Sequence, residues 1–296
     1  MNLHRRKFLS VLSATGLLLG GCRTAYQPSN QAGAAGLAEP GNEVFTYSNP
    51  LAGLDDEAIR DQLEQAVKPA PVKATEVQLD AGQMALLKQS VAHLEKVQRL
   101  VGHGNFALLG FEQMLRYARN YSSVGEFSRA ELDFFERIFE TDARQYGFMG
   151  EKVISRLNES IRDNTTIKVP YTGNYLYRDE SLHLYRRLKK DVGEDLVLTS
   201  GIRGVVKQLY LFLAKAVETG GDLALASHSL APPGYSFHGI GDFDVGKRNL
   251  GYANFTAEFA DTDVFQRLVQ LGYVDIRYTD GNTLGVRYEP WHIKVI

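Results

Sequence analysis

Residues 233–246 read PGYSFHGIGDFDVG and residues 288–292 read YEPWH, and the assignment of the C-terminal half rests on these two segments. Together they hold two histidines and several carboxylates, which are common protein ligands of zinc. A catalytic zinc site uses three protein ligands and leaves a further position to water. Zinc lowers the pKa of that water and polarises a carbonyl group, while a nearby carboxylate that is not a ligand accepts the proton. The two segments therefore predict a hydrolytic zinc site.

Both segments resemble the signatures of the VanY-type D-alanyl-D-alanine carboxypeptidases, within the wider LAS metallopeptidases. Those signatures are a Ser-x-His-x-x-Gly run that ends in an aspartate ligand and, later in the chain, Glu-x-Trp-His. The resemblance implies that His238, an aspartate and His292 bind Zn²⁺ and that Glu289 is the catalytic base. It also places Ser236 among the residues that contact the substrate.

The aspartate ligand has two candidates in this sequence. The family pattern has one more residue between the histidine and the aspartate than the five that separate His238 from Asp244. Asp244 is the expected ligand, because the Val and Gly after it match the apolar-glycine sequence that commonly follows the family's aspartate. Asp242 remains the alternative, because residues two apart in an extended segment face the same side.

The resemblance continues upstream in Ser200-Gly201-Ile202-Arg203 and in Gln208, which are similar to the family's Ser-Gly-Tyr-Arg-Ser segment with its later glutamine. It implies that Arg203 steadies the developing oxyanion or the substrate carboxylate, a task that suits a fixed planar cation. It also implies that Gln208 contacts the substrate. Ile202 and Gly204 depart from the family's Tyr and Ser, which we expect to alter substrate contacts and to leave the metal ligands intact.

Residues 53–165 are expected to form an all-helical domain. The family resemblance does not cover this region. The apolar side chains recur at spacings of three and four, as on a helix with one buried face. These positions are Met84, Leu87, Val91, Leu94, Val97 and Val101. Ser128 and Glu131 have the spacing of a capping box, in which each side chain accepts from the backbone N–H of the other.

Residues 166–296 change to a mixed pattern of helices and strands. The expected elements are a strand at 196–199, helices around 185–192, 205–216 and 263–271, and a hairpin of 274–278 with 284–288. Asp280-Gly281-Asn282 supplies the turn signal of that hairpin. The sequence predicts an α+β fold, in which a zinc peptidase domain with a small antiparallel sheet and flanking helices follows the helical domain.

The N-terminus has the pattern of an export signal. Arg5, Arg6 and Lys7 precede an apolar run over residues 8–19, which is too short to span a bilayer. Leu-Gly-Gly-Cys at 19–22 resembles a bacterial lipobox, which implies a signal peptide at 1–21 and lipid attachment at Cys22. The twin arginines resemble a twin-arginine signal, which implies export of a folded protein.

Composition sets the expected surroundings and partners. Residues 22–52 are rich in small and polar residues, so we expect a flexible tether between a membrane-anchored lipoprotein terminus and a periplasmic domain. Cys22 is the only cysteine, so the exported domain has no thiol for a disulfide. The net charge is −2, and nucleic acid is not an expected partner because phosphate binding needs a concentrated positive surface.

The resemblance implies the activity of a zinc-dependent D-alanyl-D-alanine carboxypeptidase acting on peptidoglycan stem peptides. One alternative is a peptidoglycan endopeptidase, because sequence alone does not tell whether the binding groove is closed on the far side of the cleaved bond. Another is a non-catalytic wall-binding lipoprotein, which the short spacing between His238 and Asp244 favours. Glu289 argues against it, because a peptide holder has no need of a base beside the metal.

Overall fold

The computed structural model describes residues 77–273 and 275–295. Its helices are α1 (Ala81–Val101), α2 (His103–Leu108), α3 (Phe111–Asn120), α4 (Arg129–Glu140), α5 (Glu180–Val192), α6 (Val205–Glu218), α7 (Leu223–Ser229) and α8 (Asp263–Gln270). Its strands are β1 (Thr166–Lys168), β2 (Tyr175–Tyr177), β3 (Leu196–Ser200), β4 (Phe243–Lys247) and β5 (His292–Ile293). All strand pairs are antiparallel, which confirms the α+β prediction.

The N-terminal predictions lie outside the described residues. They are the signal peptide at 1–21, lipid attachment at Cys22, the tether at 22–52 and the first part of the helical domain. Among the helices that the structure describes, none combines the length and the apolar character that a bilayer crossing needs.

Helix α4 begins where the sequence predicts. In α4, Ser128 Oγ accepts from Glu131 N at 3.3 Å, and Glu131 Oε2 accepts from Ser128 N at 2.8 Å, which confirms the capping box. A second capping box, between Asp80 and Gln83, begins α1. Each box satisfies backbone donors that the first turn of a helix leaves without partners.

The helical stretch ends earlier than predicted. A 3₁₀ turn, Ala143–Tyr146, stops at Gly147, whose φ of 77° lies in the left-handed region that glycine adopts without strain. Residues 147–162 contain no helix. The backbone N–H groups of Val153 and Ile154 donate to Gly234 O instead, so tertiary contacts hold this segment against the loop before β4.

One hydrophobic core joins α1–α4 to α6 and α7. Its fully buried side chains include Leu87, Phe106, Phe135, Phe212 and Leu213. These residues come from both sides of the predicted boundary between 53–165 and 166–296. The division into two domains stays a prediction, and α6 packs directly on helices that precede it.

The three-stranded sheet has the order β3-β4-β5, with β4 in the centre. Ser200 pairs with Asp244, and Asp244 pairs with His292, so one row of residues crosses all three strands. A second core packs beneath the sheet and includes Leu188, Leu196, Val245, Phe259 and Trp291. This buried support fixes the positions of the row above it.

The predicted hairpin of 274–278 with 284–288 is wrong. The turn itself forms, because Asn282 N donates to Thr279 O at 3.2 Å and Gly281 has a φ of 69°. Of the flanking residues, the structure describes 275–278 and 284–288, and these do not pair with each other as strands. Ile276 forms a bridge with Ile293, while Leu284 O accepts from Met149 N, so other parts of the chain take up their backbone groups.

Candidate metal centre

Three predicted ligands converge on one face of the sheet. Asp244 lies in β4 and His292 begins the neighbouring β5, where the register places them side by side. His238 lies in a 3₁₀ turn, Phe237–Gly239, shortly before β4. One ligand atom from each of the three residues lies within 4.8 Å of the others, and all three side chains are buried.

The backbone of Gly201 fixes the orientation of His238. His238 Nδ1 lies 2.8 Å from Gly201 O, and a carbonyl oxygen only accepts, so Nδ1 carries the proton. Nε2 therefore presents its lone pair to the cluster, 3.2 Å from Asp244 Oδ1. Burial, reinforced by the charge of Arg203, lowers the pKa of His238 to about 4, so the ring is neutral at pH 7.

His292 faces the cluster with Nδ1, whereas His238 does so with Nε2. Its Nε2 lies 3.0 Å from Asp242 Oδ2, and its Nδ1 lies 3.4 Å from Asp244 Oδ1. Burial opposes a charge on the ring, but the hydrogen bond to Asp242 and the charges of both aspartates outweigh it and raise the pKa of His292. The imidazole thus lies between two carboxylates, one at each nitrogen.

These atoms fit a bound zinc ion. His238 Nε2 and Asp244 Oδ1 are buried, and neither has a hydrogen-bond partner within the described residues. Buried polar atoms almost always have a partner, and electron-pair donors that face one another without a proton or cation between them repel. Two histidines and one carboxylate also match the ligand chemistry of catalytic zinc.

Arg203 holds the aspartate in place. Its Nη2 donates to Asp244 Oδ2 at 2.7 Å, and its Nε donates to Ser200 Oγ at 2.9 Å. Asp244 therefore has one oxygen engaged by the guanidinium and the other turned to the histidines. Burial opposes ionisation of this carboxyl, but the charge that His238 carries below its own pKa and the charge of Arg203 outweigh it and bring the pKa of Asp244 to about 2.

Glu289 lies beside the cluster without joining it. Its Oε2 lies 3.7 Å from His292 Nδ1, and its Oε1 lies 3.8 Å from Arg287 Nε. The residue is only 8% exposed, and this burial raises the pKa of Glu289 to about 7, although Arg287 and His292 act to lower it. A carboxylate in this position is suited to exchange a proton near neutral pH.

The two predicted substrate contacts occupy different surroundings. Gln208 is buried, its Oε1 accepts from Gly234 N at 2.8 Å, and its Nε2 donates to Arg203 O at 2.7 Å. Its amide thus braces two backbone segments, and the predicted contact of Gln208 with substrate stays a prediction. Ser236 is buried immediately before the turn that carries His238, and its contact with substrate stays a prediction.

The sequence analysis missed the roles of three residues around His292. Asp242 and Tyr278 contact its ring, and Arg277 binds Asp242. Asp242, considered only as an alternative ligand, instead accepts a hydrogen bond from the ring. Arg277 donates to Asp242 from Nε at 2.6 Å. The ring of Tyr278 lies 5.0 Å from that of His292 at an angle of 70°. Burial, reinforced by the negative charge of Glu289, raises the pKa of the Tyr278 hydroxyl. Only the position of Arg277 and Tyr278 just before the predicted turn could have drawn attention to them.

Two comparisons with known proteins returned a match. Residues 178–296 match the family model of VanY, described as D-alanyl-D-alanine carboxypeptidase. A solved structure of the LdcB LD-carboxypeptidase, described as revealing the molecular basis of peptidoglycan recognition, is 22% identical with a TM-score of 0.37. That match covers 44% of this chain and 63% of the LdcB chain, so it spans less than two thirds of that protein. The search of curated proteins returned no match. Residues 178–296 thus resemble the VanY-type D-alanyl-D-alanine carboxypeptidases.

Proposed function

We propose that this protein is a zinc-dependent D-alanyl-D-alanine carboxypeptidase that acts on peptidoglycan stem peptides. The observation that carries the proposal is the convergence of His238 Nε2, His292 Nδ1 and Asp244 Oδ1 within the segment that matches VanY. These three atoms would hold the zinc ion. Peptidoglycan peptides are the proposed substrate, because D-alanyl-D-alanine is the bond named by that family.

The proposed reaction assigns distinct roles to the residues around the cluster. A bound zinc ion would supply an activated water and polarise the scissile carbonyl group. Glu289 takes the proton from the attacking water and passes it to the amine of the departing D-alanine. A positioned general base of this kind contributes a factor of about 10² to 10⁴. Its Oε2 lies 3.7 Å from His292 Nδ1, next to the proposed ligands, and Glu289 is not among the three residues whose ligand atoms converge.

Arg203 has a double role in this proposal. Its hydrogen bond to Asp244 Oδ2 orients the third ligand, and its side chain remains 13% exposed. A guanidinium carries five N–H donors, so Arg203 has donors beyond the two used by Ser200 and Asp244. These donors serve to offset negative charge on the oxyanion or on the carboxylate of the substrate.

The short spacing from His238 to Asp244 was the one feature that favoured a non-catalytic wall-binding protein. The tight turn after His238 compensates for the missing residue, because Gly241 N and Asp242 N both donate to Phe237 O. Gly241 has a φ of 143°, a backbone conformation that side-chain-bearing residues rarely adopt. The ligands therefore converge despite the shorter segment, which supports an enzyme over a peptide holder.

Defined muropeptides test the proposal. The purified protein, loaded with Zn²⁺, is incubated with a pentapeptide that ends in D-alanyl-D-alanine, with a tetrapeptide and with a cross-linked dimer, and products are identified by mass. We expect release of one D-alanine from the pentapeptide. Cleavage of the tetrapeptide alone would assign L,D-specificity, and cleavage of the dimer alone would assign the endopeptidase alternative. Zinc-loaded protein that binds these peptides and cleaves none would support the wall-binding alternative.

The proposed location is the periplasm, with the chain anchored to a membrane through lipid on Cys22. The basic residues 5–7, the apolar run 8–19 and the sequence Leu-Gly-Gly-Cys support it. The twin-arginine route would export the protein already folded. Such an anchor, followed by a flexible tether, would allow the peptidase domain to reach peptides of the cell wall.

A further inference from the structure

Asp242 lies in a buried network that the proposed reaction does not use directly. Its Oδ2 lies 3.0 Å from His292 Nε2 and accepts from Arg277 Nε at 2.6 Å. Its Oδ1 accepts from Val295 N at 2.9 Å and from Arg277 Nη2 at 3.3 Å. Both oxygens are thus held by donors, and the carboxylate is fixed away from the ligand cluster.

Arg277 extends this network to the turn that carries His238. Its guanidinium carbon lies 3.4 Å from the centre of the Phe237 ring, and Phe237 directly precedes His238. A guanidinium over an aromatic face is attracted by the negative charge of the ring face. The same arginine therefore packs against the turn that carries one ligand and binds the aspartate that contacts another.

We infer that Asp242 is a positioning residue for the metal centre, which fixes His292 with Nε2 protonated and with Nδ1 directed at the metal. The inference rests on the proposed zinc site. Metal-binding histidines commonly donate their second ring N–H to a carboxylate, which fixes the tautomer and increases the basicity of the ligand nitrogen. Asp242 at Nε2 and Asp244 at Nδ1 hold the two sides of one imidazole.

The shortened segment after His238 gives Asp242 this position. Gly241 and Asp242 donate to Phe237 O, and Ser181 Oγ donates to Gly241 O at 2.8 Å, so the turn is closed from both sides. Asp242 ends this turn, and Asp244 follows in β4. The turn therefore places Asp242 at Nε2 of His292 and Asp244 at Nδ1. This placement is the structural consequence that we infer for the short spacing.

Zinc affinity tests the inference without reference to activity. Asp242→Ala and Asp242→Asn are compared with Asp275→Asn, a matched control in which the lost carboxylate is exposed and pairs with Lys294 at 3.3 Å. The zinc dissociation constant is measured by competition with a chromophoric chelator, and the Co²⁺-loaded proteins are compared by their visible spectra. Unfolding of the metal-free proteins reports on the fold.

We expect zinc to bind about 10 to 100 times more weakly to Asp242→Ala, with an intermediate loss for Asp242→Asn, which keeps one acceptor oxygen for Nε2. The Co²⁺ spectrum should shift in both, and the control should match the wild type in both measurements. If Asp242→Ala does not fold, Asp242→Asn alone decides. Wild-type zinc affinity and an unchanged spectrum in a folded Asp242 variant would overturn the inference and leave the zinc site standing. A wild type without zinc affinity would instead overturn the proposed function.

Discussion

Glu289 Oε2 lies 3.7 Å from His292 Nδ1, near enough to share the surroundings of the ligand cluster and too far to be a hydrogen-bonded part of it. The backbone explains this placement, because Glu289 O accepts from His292 N at 3.1 Å and Glu289 N donates to Tyr278 O at 3.0 Å. The main chain therefore places the carboxylate beside a proposed ligand, where the proposed base needs no movement to act.

Glu289→Gln should abolish most turnover and retain the metal. The substitution preserves size and removes the ability to accept a proton, so turnover on a D-alanyl-D-alanine pentapeptide should fall by a factor of about 10² or more. Zinc content, measured by elemental analysis of the dialysed protein, should remain near one ion per chain. A Gln variant without zinc would make Glu289 a ligand, and one with wild-type turnover would remove it from the reaction.

The three proposed ligands should each be needed for zinc. His238→Ala and His292→Ala should lose most of the bound ion on dialysis, because two remaining ligands rarely hold zinc against water and chelators. Asp244→Ala should lose more zinc than Asp242→Ala, because Asp244 Oδ1 faces the histidines while Asp242 accepts from Nε2 of His292. The reverse order would identify Asp242 as the ligand.

Replacement of Cys22 tests the proposed anchor. Cys22→Ala should release the protein from membranes or trap its precursor, because no other cysteine is available to carry lipid. Fractionation of cells followed by immunoblotting gives both the location and the size of the product. An Ala variant that stayed in the membrane fraction at the normal size would contradict the lipoprotein assignment.

Local patterns predicted most helices because their signals are short in sequence. The spacing of Leu87, Leu94 and Val97 follows from helix geometry, and the box of Ser128 with Glu131 closes within one turn. The hairpin prediction failed for the opposite reason. Ile276 and Leu284 satisfy backbone groups of residues that are distant in the chain, and a turn signal carries no information about such partners.

The ligand cluster was accessible from the sequence because its residues belong to short motifs. Asp242 was identified there only as a possible ligand, because extended geometry gave no reason to separate it from Asp244. The separation comes from the turn at Gly241 and from Arg277, whose bond to Asp242 spans 35 positions of the chain. The bracing contacts of Gln208 could not be predicted for a similar reason, because its partners Gly234 and Arg203 become neighbours only in the folded chain.

Gly201 links the fold to the proposed metal centre. Its carbonyl oxygen accepts from His238 Nδ1 at 2.8 Å, and the next residue, Ile202, donates its N–H to Tyr175 O at 2.8 Å. A Cβ at Gly201 would lie 2.1 Å from that same Tyr175 oxygen, a contact that only a backbone shift can relieve. The backbone around Gly201 therefore leaves no space for a side chain.

Gly201→Ala should lower the free energy of unfolding by about 2 kcal/mol or more. The new Cβ is fixed to its own backbone and meets a backbone oxygen, so no side-chain rotation relieves the contact. It should also weaken zinc binding, because the shift moves the carbonyl that sets the tautomer of His238. Gly82→Ala is the control, since a Cβ there meets only Asp80 Oδ1 at 3.4 Å within α1, and alanine is favoured over glycine in helices by up to about 1 kcal/mol. Denaturant unfolding and chelator competition on both variants check the prediction. Equal stability of the two variants would show that the chain accommodates a methyl group at Gly201 without moving the strand that carries Tyr175.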